Sequence, residues 1–188
     1  MNAYEKRIIF IGDSLTVGSE VAVNKRWTTI ASNKLKSDHI NMGINGDTTL
    51  GMVSRFDKEV EAVNLSHLFI MGGTNDIWWQ IEPKVAISNI MTLVAHALHR
   101  EIAPIVGIPF NINPKRVSKE WSRELDLDHI YKQMEQYQDD LKQGLKLLGI
   151  PYVDFSSNPE VIDCLDDGLH PNEKGHHLMA QLITPDLL

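Results

Sequence analysis

The chain has 188 residues, enough for one domain and cramped for two. With 43% hydrophobic and 23% charged residues it can bury one sizeable core, which excludes disorder as its main state. A net charge of -7 argues against nucleic acid or an anionic membrane as the main partner, and a single cysteine, Cys164, excludes an internal disulfide framework or a multi-thiolate metal site.

Apolar runs alternate with amphipathic stretches along the whole chain, so residues 1–188 read as one domain. The first run, Arg7–Ile11, is far shorter than the roughly 7–15 apolar residues of a secretory signal or the about 20 of a membrane span. A cytoplasmic protein without a membrane span is therefore expected, and a free Cys164 suits a reducing compartment. Trp27–Leu35 follows as a helix with Trp27, Ile30, Ala31 and Leu35 on one face. His39–Ile44 is the second run. Thr49–Val63 is the next helix, with Met52, Val53, Phe56, Val60 and Val63 as its stripe. His67–Met71 is followed by the helix Pro83–Arg100, and Pro104–Ile108 by the helix Leu127–Leu148. Pro151–Phe155 is the fifth run, and a helix over Glu173–Ile183 closes the chain. Continuous rather than alternating apolar runs suit strands buried on both faces. The pattern predicts an α/β fold: a three-layer α/β/α sandwich around a five-stranded parallel sheet with right-handed crossovers.

In such a sheet ligands bind beyond the carboxyl ends of the strands, so the loops after the runs carry the chemistry. Phosphate binding is the first possibility to test, and its motifs are missing. The loop with Gly12 and Gly18 lacks the Lys-Ser or Lys-Thr of a P-loop, and neither Gly43 with Gly46 nor Gly72-Gly73 has dinucleotide spacing. An FMN module fits the fold but leaves the loop around His170 unexplained.

Ser14 directly follows the first strand. A serine hydroxyl needs a neighbouring base, and the base needs a group that fixes its tautomer. Asp167 and His170 lie three residues apart, close enough for one turn to hold the carboxylate against imidazole Nδ1 and leave Nε2 free. Gly168 relaxes that turn and Pro171 restrains His170 to extended backbone. Acyl transfer also needs donors aimed at the developing oxyanion. Gly46 can supply a backbone N–H, Asn75 a side-chain N–H and Ser14 its own N–H. Each piece has a plainer explanation: Ser14 as a helix cap, His170-Pro171 as a loop, Gly46-Asp47-Thr48 as a turn with an N-cap. The G-x-S-x-G elbow of the ordinary α/β-hydrolases is absent.

Gly12-Asp13-Ser14-Leu15, Asn45-Gly46-Asp47-Thr48-Thr49, Gly72-Gly73-Thr74-Asn75-Asp76 and Asp167-Gly168-Leu169-His170-Pro171-Asn172 resemble, in order, the four blocks of the SGNH (GDSL-type) hydrolases. The resemblance implies Ser14 as nucleophile, His170 as base, Asp167 as its orienter, and Gly46 and Asn75 as oxyanion donors with the Ser14 N–H. It also implies hydrolysis of a small acyl ester through an acyl-enzyme, without metal or organic cofactor, and the flavodoxin-like strand order 2-1-3-4-5. The family's D-x-x-H pattern selects Asp167 over Asp166. The rival from another class is a non-catalytic domain of the same fold that binds a carbohydrate or nucleotide.

Trp78 and Trp79 follow the Asn75 block and are candidates to line a substrate pocket, as are Asp13 and Phe110. Asp13 and Asp47 are otherwise expected to hold their loops by Asx-type hydrogen bonds. Residues 110–121 are long for a strand-to-helix loop, where about 2–6 residues are usual. They suit a substrate lid or a contact between copies in a homo-oligomer. The pairs His96 with His99 and His176 with His177 lack the third ligand a metal site needs, so no metal is expected. Cys164 is expected to be a buried packing residue, since no base is placed to activate it.

Overall fold

In a computed structural model, which describes residues 6–61 and 65–187, five parallel strands form one sheet in the order β2-β1-β3-β4-β5. They are β1 (Arg7–Gly12), β2 (Asp38–Gly43), β3 (His67–Met71), β4 (Ala103–Ile108) and β5 (Tyr152–Asp154). This is the expected flavodoxin-like order. In the register, Ile9 of β1 lies opposite Ile40 on one side and Leu68 on the other.

Successive side chains of a strand point to opposite faces, and the strands divide accordingly between two cores. Ile9, Ile11, Leu68, Ile70, Val106 and Ile108 enter one core. Above it lie α3 (Thr49–Val60), α5 (Pro83–His99) and α6 (Leu127–Leu148), with the short α4 (Thr74–Trp78) at its end. Ile8, Phe10, Phe69, Met71, Ile105 and Val153 enter the other. It is covered by α1 (Ser14–Val17), α2 (Trp27–Leu35), α7 (Pro159–Asp163) and α8 (Glu173–Gln181). At its centre Trp27 is fully buried among Phe10, Phe69 and Phe155, with ring centroids 5.1–5.3 Å apart. No described helix is long and apolar enough to cross a membrane.

The expected helix over Thr49–Val63 is described to Val60, and Val63 lies outside the described residues. Burial on both faces holds for the three central strands only. β2 is half-buried along its length and β5 has three residues, because each is a sheet edge with a neighbour on one side. Phe155 leaves the strand to start a 3-10 turn at Phe155–Ser157. The short helices α1, α4 and α7 were not expected from periodicity. Four or five residues cannot show a stripe, and such short helices form only where caps and packing hold them.

Candidate active site

The loops after β1, β2 and β3 and the loop before α8 meet at the carboxyl edge of the sheet, as the strand order requires. Ser14 opens α1. Asp13 caps this helix by accepting the Leu15 N–H at 2.9 Å, which is the Asx-type bond expected of it. Trp27 fixes the same turn to the core, since its indole N–H donates to the Leu15 carbonyl at 2.8 Å.

His170 Nε2 lies 2.9 Å from Ser14 Oγ, and His170 Nδ1 lies 2.7 Å from Asp167 Oδ2. A carboxylate facing Nδ1 keeps the ring proton there, so Nε2 carries the lone pair that accepts the Ser14 hydroxyl. Asp167 Oδ1 accepts the backbone N–H groups of Leu169 at 2.8 Å and His170 at 2.7 Å. Partial burial pushes the Asp167 carboxyl up. The His170 N–H and imidazole together with the Leu169 N–H outweigh it and hold the group below the usual carboxylate range. Asp166, the rival by type, is exposed and accepts from Asn172 Nδ2 instead. The turn depends on Gly168 at φ +85°, where a Cβ would meet the Val117 nitrogen at 2.6 Å. Asn113 donates its N–H to the Gly168 carbonyl at 2.8 Å, and Arg116 donates to the Asp163 carbonyl at 2.8 Å. Residues 110–121 therefore clasp the His170 loop, and Trp121 ends edge-on to the imidazole with ring centroids 6.3 Å apart.

Gly46 sits on the facing wall at φ +74°, with open space where a Cβ would be. Glycine is needed there for the left-handed backbone. Asn75 Nδ2 donates to the Asp47 carbonyl at 2.8 Å, joining the loops after β2 and β3. Asp47 does not make the expected Asx bond. Its carboxylate takes Arg55 Nε at 2.8 Å, and the same guanidinium donates to the carbonyls of Met42 and Gly12 and pairs with Glu59. Arg55 thus ties the ends of β1 and β2 to the loop carrying Gly46. Asp76 is buried and accepts both the N–H and the hydroxyl of Thr49, at 2.9 and 2.6 Å. Burial pushes the Asp13 carboxyl up to about 7; the Leu15 N–H opposes the rise, and Asp76 and Asp47 add to it.

A cavity of about 510 Å³ opens over Ser14, with Trp78, Trp79 and Trp121 as its aromatic walls and Asp13 at its floor. Phe110 does not reach it. It is buried in one core while Ile108 and Ile112 enter the other, because the strand alternation breaks where β4 ends at Ile108 and the chain past it leaves the sheet's pleat. Arg55, Glu20 and Trp121 are site residues that the sequence did not single out. Trp121 was signalled only as the end of a long loop, and Arg55 not at all.

Among the described residues no group of three or more His, Cys, Asp or Glu side chains is arranged to hold a metal ion. His176 is buried and accepts the Trp27 N–H at its Nδ1, and burial, helped by the Arg26 charge, lowers it to about 4. Cys164 is buried, as expected, and burial raises its thiol.

A family model described as the GDSL-like lipase/acylhydrolase family matches residues 10–178. The chain is similar to an arylesterase from Vibrio mimicus, 24% identical over 188 residues that cover 97% of this chain and 88% of that protein. Among solved structures it is similar to a member of the lipolytic G-D-S-L family from Veillonella parvula (TM-score 0.81, 22% identity, 94% of this chain and 95% of that one). It is equally similar in fold to an M. smegmatis aryl esterase (TM-score 0.81, 20% identity, 94% of this chain and 95% of that one).

Proposed function

The chain belongs to the GDSL-like lipase/acylhydrolase family, and on that premise we propose that it is a serine esterase that cleaves small acyl esters through an acyl-enzyme. The observation that carries this is the unbroken hydrogen-bonded line from Ser14 Oγ through His170 to Asp167, at 2.9 and 2.7 Å. Ser14 Oγ attacks the ester carbonyl carbon while His170 Nε2 takes the hydroxyl proton, and Asp167 stabilises the resulting imidazolium. The carbonyl oxygen, now negative, takes hydrogen bonds from the N–H groups of Ser14 and Gly46 and from Asn75. An amide nitrogen carries two hydrogens, so Asn75 can serve the oxyanion while its other N–H stays on the Asp47 carbonyl. Each such donor is worth about 3–4 kcal/mol in the transition state. The intermediate collapses, the ester C–O bond breaks, and the alcohol leaves with the proton from His170. Water, deprotonated by the same imidazole, then releases the acid and restores Ser14. Every proton has a named donor and acceptor, so the sequence of steps needs no cofactor.

Relatives named arylesterase support short acyl esters of aryl alcohols as first substrates. Ser14→Ala is expected to abolish p-nitrophenyl acetate hydrolysis and covalent labelling by a fluorophosphonate, with circular dichroism and melting temperature retained. Turnover by the folded Ser14→Ala protein would overturn the proposal, and a wild-type protein that neither turns over nor labels would favour the non-catalytic binding domain.

A further inference from the structure

The charge and the aromatic surface around the reacting centre are both one-sided. A second cavity of about 210 Å³ adjoins the first on the His170 side, and Ser19, Glu20 and His170 line both. Among the described residues lining the two cavities there is no Lys or Arg, whereas Glu20, Asp166, Asp167 and Glu173 all face the smaller one. Asp167 is committed to His170, Glu173 to Lys25, and Asp166 to Asn172 and Arg116. Glu20 forms no ion pair among the described residues. It stands at the junction of the two cavities, and Trp121, which abuts the imidazole, lines the larger one. Trp121 and Trp79 are 51% and 67% exposed, so their ring surfaces are available to a ligand.

The leaving alcohol must depart beside His170, because that imidazole returns the proton to it. Its substituent therefore extends toward Glu20, Trp121 and the acidic cavity. A carboxylate without a counter-ion and an indole that line one cavity attract a cation by charge and by the ring quadrupole, and together they repel an anion. Resting on the esterase reading above, we propose that this site selects esters whose alcohol carries a quaternary ammonium or similar compact cation, with Glu20 and Trp121 as the specificity-determining residues. The reaction remains ester hydrolysis: the acyl group passes to Ser14 Oγ, and the cationic alcohol leaves with the His170 proton.

The test compares acetylcholine with its neutral isostere 3,3-dimethylbutyl acetate, and p-nitrophenyl acetate reports the esterase itself. The wild-type kcat/KM ratio of cationic to neutral ester is expected to be about tenfold, to fall about fivefold in Glu20→Gln and about threefold in Trp121→Leu. Being a ratio within one protein sample, it is insensitive to partial misfolding of a variant. In the wild type the ratio should also shrink with added salt, because exposed charges are screened. A wild-type ratio of one or less, or a ratio that Glu20→Gln leaves intact, overturns the selectivity while p-nitrophenyl acetate turnover keeps the esterase standing. Loss of turnover on all three esters overturns both.

Discussion

Ser14, Gly46 and Asn75 stand on segments that side chains bind across the fold, whereas His170 and Asp167 stand on a loop that binds mainly to itself and to residues 110–121. On the Ser14 half, Arg55 and Asp47 are 14% and 12% exposed at the side chain, and one guanidinium gathers the ends of two strands and the Gly46 loop. Asp76 adds a buried link from α4 to α3. On the His170 half, His170 and Asp167 are 26% and 37% exposed, and the Asp167 bonds all stay within three residues. A group held from several elements is rigid at the cost of coupling its loss to stability. One held by a local turn can be lost with little effect on the fold.

That contrast can be broken at several points. The largest effect is expected from His170→Ala, a loss of kcat on p-nitrophenyl acetate of about a thousandfold or more with the melting temperature nearly unchanged. A large fall in melting temperature would show that the His170 loop is as interdependent as the other half. Arg55→Met strands the carboxylates of Asp47 and Glu59 and is expected to cost about 3 kcal/mol in denaturant unfolding, together with activity. Unchanged stability would refute the cross-bracing role of Arg55.

Two buried groups near the site, His176 and Asp13, also respond to pH with opposite sign. The unfolded His176 imidazole takes a proton below 6.5 and the folded one refuses it until about 4, so acidification through that window removes stability. The unfolded Asp13 carboxyl ionises above 3.8 and the folded one keeps its proton to about 7, so raising the pH through that window removes stability. Each contributes on the order of 3 kcal/mol over its full window, and over their overlap the two slopes oppose each other. Relative to wild type, Asp13→Asn should therefore lose more stability on acidification, and His176→Gln more on approach to neutrality, as read from denaturant melts across pH. Parallel pH profiles for the two variants would refute this opposition. The smallest effect is expected at exposed Asp166, where Asp166→Asn should change p-nitrophenyl acetate turnover less than twofold and stability by less than about 0.5 kcal/mol.

Much of this arrangement was legible in the sequence, for identifiable reasons. Five apolar runs and five amphipathic stretches locate the strands and main helices, because burial leaves a period that any reader can count. Ser14, Gly46, Asn75, Asp167 and His170 each follow a strand or precede a helix, where loop chemistry gathers. Trp78 and Trp79 do line the cavity, for the same reason. Phe110, a candidate to line the pocket, is buried instead, because the chain leaves the strand alternation after Ile108 and turns this side chain into the core. Arg55 was illegible because on a helix it reads as one more polar residue, and the carbonyls it binds lie 13 and 43 positions away. Glu20 stands in a short loop whose position against a second cavity depends on α8 and the His170 loop, neither of which is near it in sequence.

The edge-on contact between Trp121 and His170 gives this chain an optical reporter of its own. Indole emission is quenched by an adjacent imidazolium more strongly than by a neutral ring. In the proposed reaction, the proton that His170 takes as Ser14 attacks, and returns as the alcohol departs, would thus pass beside an emitter already in place. Stopped-flow fluorescence of the unlabelled protein, with Trp121→Phe as the silent control, would then follow the pre-steady-state phases of turnover without a chromogenic substrate.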